Sequence, residues 1–202
     1  LDAATTASNN TSIGHNSLTD LTTGSQNTAL CSNALANTTT ALNNVGVGFF
    51  ALAFNTTGTE NTAVGKDSGK SVTTGSYNTL MGSLCGDAIT TGTNNTALGR
   101  SALTENTTAS NNTAVGFHAL LLNTTGVANV AVGANALDAN TTADSNVAIG
   151  FAALTANTTG ASNVALGREA LGTNTTASNN TGIGHNALLS NTTGTRNTAV
   201  GG

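Results

Sequence analysis

One residue type recurs at a fixed interval along the whole chain. From Asn10, steps of 17 reach Asn27, Asn44, Asn61, Asn78, Asn95, Asn112, Asn129, Asn146, Asn163, Asn180 and Asn197, with no insertion or deletion. Each unit is numbered here from this asparagine as position one. Positions thirteen and fourteen are then Thr-Thr in every unit, from Thr5-Thr6 to Thr192-Thr193. Position four is always aliphatic or Met, as in Ile13, Leu30, Val47, Val64, Met81 and Val200, and position five is Gly except at Cys31. The consensus is N-T/V-A-V-G-x-x-A-L-x-x-N-T-T-G/A-x-x. A short fixed period of this kind specifies a solenoid or array in which each unit is one coil.

The register decides how the composition is read. The chain of 202 residues contains 29 Asn, 40 Thr, 24 Gly and no Pro, a mix that by itself suggests a low-complexity disordered tract. A regular apolar spacing overturns that default. Seventeen residues are too few for a helix-turn-helix unit, and Asn, Thr, Gly and β-branched residues favour turns and strands over helices. Thr or Val at two and an aliphatic residue at four, with small residues at three and five, is the alternation of a strand. A second short strand is expected around Ala-Leu at eight and nine. Stacked at about 4.8 Å, twelve such coils make a rod of roughly 57 Å. The expected class is an all-β parallel β-solenoid, or β-roll, with one 17-residue coil per repeat and about twelve coils.

Side-chain roles follow from the same register. The larger residues at two and four are expected to point into the coil, leaving Ala or Gly at three and Gly at five as a flat outer face. Either a neighbouring chain packs closely against that face, or the glycines mark a crowded bend inside one chain. Position nine is Leu except at Gly69 and Gly86, and in those two units position twelve, usually Asn, becomes Val72 and Ile89. The lost apolar volume reappears three residues on, which places nine and twelve at one interior corner. Asn at twelve, as in Asn106, Asn123 and Asn140, is expected to form an amide ladder, because an unpaired buried amide costs about 1–3 kcal/mol. Position fifteen nearly alternates between Gly and Ala with a period of 34, from a two-coil duplication or from alternating turns in which Gly takes positive φ.

Several functional classes are excluded by charge and hydropathy. Five Lys+Arg and a net charge of -4 leave no basic footprint for nucleic acid or for an anionic membrane surface. No run approaches the ~20 apolar residues of a membrane span. The start, Leu1-Asp2-Ala3-Ala4-Thr5, has neither the charged nor the apolar region of a signal peptide. Residues 1–202 read as one array that begins at position nine and stops at position six, without polar caps. Solenoids need such caps, so the array is expected to belong to a longer fibre protein or to stack end to end with further copies.

The motif N-T-A-V-G-x-x-A-L-x-x-N-T-T-G resembles repeats of phage and giant-virus tail-fibre proteins, some of which carry an endosialidase-like intramolecular chaperone. It is clearest in Asn112-Thr113-Ala114-Val115-Gly116, followed by Ala119-Leu120 and Asn123-Thr124-Thr125-Gly126. The same core is similar to the N-S-V-A-I-G head repeat of trimeric autotransporter adhesins. Asn111-Asn112-Thr113-Ala114-Val115-Gly116 matches that pattern apart from its serine and first valine. The resemblance covers the whole chain. It implies a left-handed, commonly trimeric β-roll used as a rigid extracellular shaft or adhesive head.

Candidate chemistry is sparse. Cys31 and Cys85 lie about three coils apart, near 14 Å along the axis, too far for a disulfide, which needs Cα atoms within ~7 Å. Both read as free, small core residues. His15, His118 and His185 are many coils apart and make no metal site, and no acid/base pair or nucleophilic triad emerges. Catalytic, cofactor-binding and metal-binding residues are therefore all assigned as none, with no cofactor. Phe49, Phe50 and Phe54 crowd one coil, and Phe117 and Phe151 recur at position six. They read as surface or interchain contacts, or as a carbohydrate-stacking patch. Thirteen N-x-S/T sequons, eight of them N-T-T, mark either glycosylation or the turn and ladder chemistry of the coil. Paired threonines invite comparison with ice-binding arrays, but such arrays need T-x-T on one strand face.

The chain is thus expected to be a non-enzymatic segment of an extracellular fibre, self-associating as a homotrimer. The alternatives are a self-assembling filament of stacked solenoids, with or without glycans, and an ice-binding solenoid. A cell-surface glycan is the candidate receptor; nucleic acid and membrane insertion are not expected.

Overall fold

The computed structural model describes residues 3–201; Leu1 and Asp2 of the opening segment, and Gly202 at position six of the last unit, lie outside them. Twelve three-residue strands run from β1 (Thr11–Ile13) to β12 (Thr198–Val200), one per repeat, and no helix occurs among the described residues. They form one sheet in sequence order, every pair parallel. The register is one repeat throughout: Thr113 pairs with Val130, Ala114 with Ala131 and Val115 with Val132. The chain is a β-solenoid in which each coil is one 17-residue unit.

Backbone hydrogen bonds tie neighbouring coils at almost every side of the perimeter. Between the units that start at Asn61 and Asn78, the Thr62 N–H donates to the Asn78 carbonyl (2.8 Å) and the Gly82 N–H to the Val64 carbonyl (2.8 Å). The Leu84 N–H donates to the Lys66 carbonyl (2.9 Å), the Gly69 N–H to the Cys85 carbonyl (2.9 Å) and the Thr73 N–H to the Thr90 carbonyl (2.9 Å). Backbone groups closed inside a solenoid need such partners, and here the adjacent coil supplies them.

The expected second strand at positions eight and nine is absent. That segment is a turn whose residues at seven and nine sit in the left-handed region, as in Asn33 (φ 57°) and Leu35 (φ 50°). Left-handed residues break the pleat that a strand requires. A leucine with positive φ is unfavourable locally, and its complete burial offsets the cost.

The strand faces are also reversed relative to expectation. Ala at three and eight and Leu at nine form the core, with Ala97, Ala102 and Leu103 all fully buried. Positions two and four point outward, and Met81 and Leu166 are 44% and 42% exposed. The interior is narrow: small residues on the strand face a single leucine from the turn. Position five is the crowded bend of the two earlier alternatives. Gly65 has φ 135°, and a methyl on it would lie 2.5 Å from the Gly82 carbonyl oxygen. Position fifteen does not use positive φ at its glycines. A methyl on Gly126 would instead run into the Ala143 carbonyl oxygen of the next coil.

The two leucine-free coils are repaired from two sides. Val72 and Ile89 pack beside Gly69 and Gly86, as the sequence indicates. The larger replacement is Leu80, which stands at position three where other coils have Ala, Ser or Gly. A methyl on Gly69 would lie 2.7 Å from Leu80 Cδ1, and one on Gly86 would lie 2.9 Å from Leu80 Cδ2. Leu80→Ala should therefore cost about 2–5 kcal/mol, and Gly69→Leu alone about 1–3 kcal/mol through overpacking. Combined, they should cost less than their sum in a urea double-mutant cycle; additive costs would show that Leu80 does not fill the Gly69 space.

Candidate functional site

The polar interior is built from amides. Along position one, the Asn27 N–H donates to Asn10 Oδ1 (2.9 Å) while Asn27 Nδ2 donates to the Ala41 carbonyl (2.8 Å). A second ladder runs along position twelve, where Asn123 Nδ2 donates to Asn106 Oδ1 (3.0 Å) and Asn140 Nδ2 to Asn123 Oδ1 (2.8 Å). This second ladder is interrupted where Val72 and Ile89 replace the asparagine, and the buried Asn55 Oδ1 beside that gap has no partner. Six of the N-T-T asparagines, Asn55, Asn106, Asn123, Asn140, Asn157 and Asn174, are fully buried. A glycan on any of these nitrogens is incompatible with the closed coil.

The paired threonines lie in bends rather than on a strand. The hydroxyl at thirteen is used between coils: Thr56 Oγ1 donates to the Thr73 carbonyl (3.0 Å) and Thr73 Oγ1 to the Thr90 carbonyl (3.1 Å). Its neighbour at fourteen, as in Thr57 and Thr74, faces solvent.

Chemistry-bearing side chains are scattered. Among the described residues, no three His, Cys, Asp or Glu side chains come together in a metal-binding arrangement, and no helix is long and apolar enough to cross a membrane. His15 and His185 are exposed, and His118 stacks on Phe117 with ring centroids 3.7 Å apart. Both cysteines are free, but only Cys85 is a core residue. Cys31 is exposed, because it occupies the outward bend at position five with φ 103°. Burial pushes the Cys85 thiol up to about 12, and its Sγ lies 3.1 Å from the Ala97 carbonyl oxygen.

Two outward columns stand out. The first is the sheet face at positions two and four. Its strands carry no charged residue from β1 to β12, and its aliphatic side chains run unbroken along the described rod. The second is position six: Phe49, Lys66, Arg100, Phe117, Phe151 and Arg168 share it with His15 and His185. Cations lie over rings: Arg100 Cζ is 5.6 Å from the Phe117 ring centre and Arg168 Cζ 5.8 Å from that of Phe151. The recurrence of Phe at six is visible in the sequence. Its pairing with arginines from adjacent coils needs the stacking register, which would have revealed it. Comparison with protein-family models, with curated proteins and with solved structures finds no match.

Two measurements test these environments. Thiolate is the reactive form, so a thiol reagent at pH 8 should label Cys31 in the folded protein and Cys85 only after unfolding; rapid native labelling of Cys85 would contradict its burial. Burial raises the Asp87 carboxyl, and the Glu105 and Asp67 carboxylates add to the shift. A raised folded value favours the protonated form, so its stabilising effect is present in acid and is lost as pH rises through that value. Asp87→Asn should thus raise Tm relative to the parent at pH 7 and not at pH 3 in calorimetry; an equal gap at both would refute this.

Proposed function

We propose that the chain is a non-enzymatic structural segment of an extracellular fibre, a stiff rod that associates side by side with copies of itself. The observation that carries this reading is the uncharged outer sheet face, aliphatic or Met at position four and Thr or Val at position two, running along a rod hydrogen-bonded at almost every side. Twelve strands at about 4.8 Å make this face roughly 50 Å long, and its three-residue strands make it roughly 10 Å wide. Its position-four column is a continuous, partly exposed apolar stripe, and exposed apolar stripes of this kind often mark interaction sites. The absence of charge matters as well. Identical columns meeting across an interface would place like charges opposite one another, and here there are none to repel.

Fibre function supplies the reason for such a build. Each coil contacts only its neighbours, so length adds coil by coil, and variable outward positions change without disturbing the ladders. The resemblance to tail-fibre and adhesin repeats supports placement outside the cell and a trimeric assembly.

Analytical ultracentrifugation tests the association. The parent should sediment as a discrete oligomer at micromolar concentration, and Met81→Lys with Leu166→Lys should shift it to monomer with unchanged circular dichroism. A parent that remains monomeric would overturn the reading. Electron microscopy separates its forms: discrete short rods support the lateral oligomer, and indefinite fibres support end-to-end stacking in its place.

A further inference from the structure

Position six is where the chain concentrates its few rings and cations. Three of its five Lys+Arg and three of its five Phe fall in this one column of seventeen, and the column holds no carboxylate. Over five consecutive coils it reads Arg100, Phe117, Ala134, Phe151, Arg168. The order is symmetric: a small residue at the centre, a phenyl ring on each side, and a guanidinium beyond each ring. The rings are 42% and 49% exposed and the Arg168 side chain 62% exposed, so neither belongs to the core.

We propose that Arg100, Phe117, Ala134, Phe151 and Arg168 form a tray that binds a linear acidic polysaccharide lying along the rod. The spacing is the first argument. Phe117 and Phe151 are two coils apart, about 10 Å, and the arginines four coils apart, about 19 Å. An extended β-linked glycan presents every second sugar in the same orientation at a matching interval. Two alternate sugars can therefore set their apolar C–H faces against the exposed edges of the two phenyls, whose flat faces carry the guanidinia, while the intervening sugar passes over Ala134.

Charge is the second argument. Arg100 makes no ion pair among the described residues, and its planar fork is matched to a carboxylate. Arg168 is shared with Glu169 at 3.0 Å, so a ligand carboxylate there competes with an internal one. Two cations four coils apart suit a polymer that leaves most of its carboxylates in water. They do not suit single-stranded nucleic acid, which needs a continuous cationic track beside its stacked bases. His118 stacks on the Phe117 ring, with centroids 3.7 Å apart. The proposal rests on the extracellular reading, since that is where such polymers are met.

Calorimetric titration with poly-β-1,4-mannuronate oligomers tests the tray, with cellohexaose as the neutral probe and oligo-dT as a second polyanion. Mannuronate should bind saturably and weaken with salt. Phe117→Ala with Phe151→Ala, and separately Arg100→Gln with Arg168→Gln, should each weaken it at least about tenfold. Phe49→Ala, in the same column outside the tray, should leave it unchanged. Failure to bind, equal binding by the double variants, or oligo-dT binding as tightly would overturn the proposal, as would cellohexaose binding as tightly. Sedimentation and circular dichroism on the same samples separate the outcomes. Loss of binding with the oligomer intact removes only the tray, and a monomeric parent that binds mannuronate removes only the side-by-side assembly.

Discussion

The side chain at position one is the part on which the rest of the coil depends. In the unit that starts at Asn78, the Asn78 N–H donates to Asn61 Oδ1 (2.9 Å), and Asn78 Nδ2 donates to the Gly92 carbonyl (2.9 Å). One amide thus joins two coils and also closes the corner at position fifteen. The position-twelve amide converges on the same corner: the Ala109 carbonyl accepts from both Asn95 Nδ2 (2.9 Å) and Asn106 Nδ2 (3.0 Å). These groups are buried, and each left unpaired costs about 1–3 kcal/mol. Inserting one residue would move a whole unit's donors off their acceptors. That penalty explains why twelve units keep step without a single gap.

With the amides holding the corners, the hydrophobic part of the coil can be small. The typical cross-section contains a leucine from the turn and two alanines, as in Ala97, Ala102 and Leu103, and its dimensions leave almost no slack. The stretch around Leu80 shows the consequence, because one large residue at position three requires glycine at position nine in its own coil and in the preceding one. Volume is conserved across two coils rather than within one, as close packing demands. The apolar residues that do not fit inside stand outside on the sheet at position four.

Much of this was legible in the residues alone. The period gave coil length, strand position and parallel stacking, and the Gly69–Val72 and Gly86–Ile89 exchanges located an interior corner. The amide ladder at twelve was readable from Asn106, Asn123 and Asn140. Which strand face points inward was not. Thr-Ala-Val alternates equally well either way, and the usual rule that larger apolar residues go inside fails when leucines from a turn already fill the space. The second strand was misread for a related reason: Ala-Leu has strand-compatible composition, but left-handed conformation at Leu35 and its equivalents cannot be read from the leucine itself. The pairing of rings and guanidinia in column six follows from the same register, since Arg100 and Phe117, and Phe151 and Arg168, are each one repeat apart, and it was missed because column six was read for its phenyls alone.

The buried amides also bear on how such a chain can be made. Asn-Thr-Thr is an acceptor for the enzymes that attach sugars to chains crossing a eukaryotic secretory membrane, and they act before folding. A sugar placed on Asn123 or Asn157 at that stage would remove a hydrogen that the finished coil donates and add bulk where there is no room. The same amide that aligns the coils would become an obstacle to closing them. A chain with this ladder is suited to a biosynthetic route on which folding precedes, or never meets, that machinery.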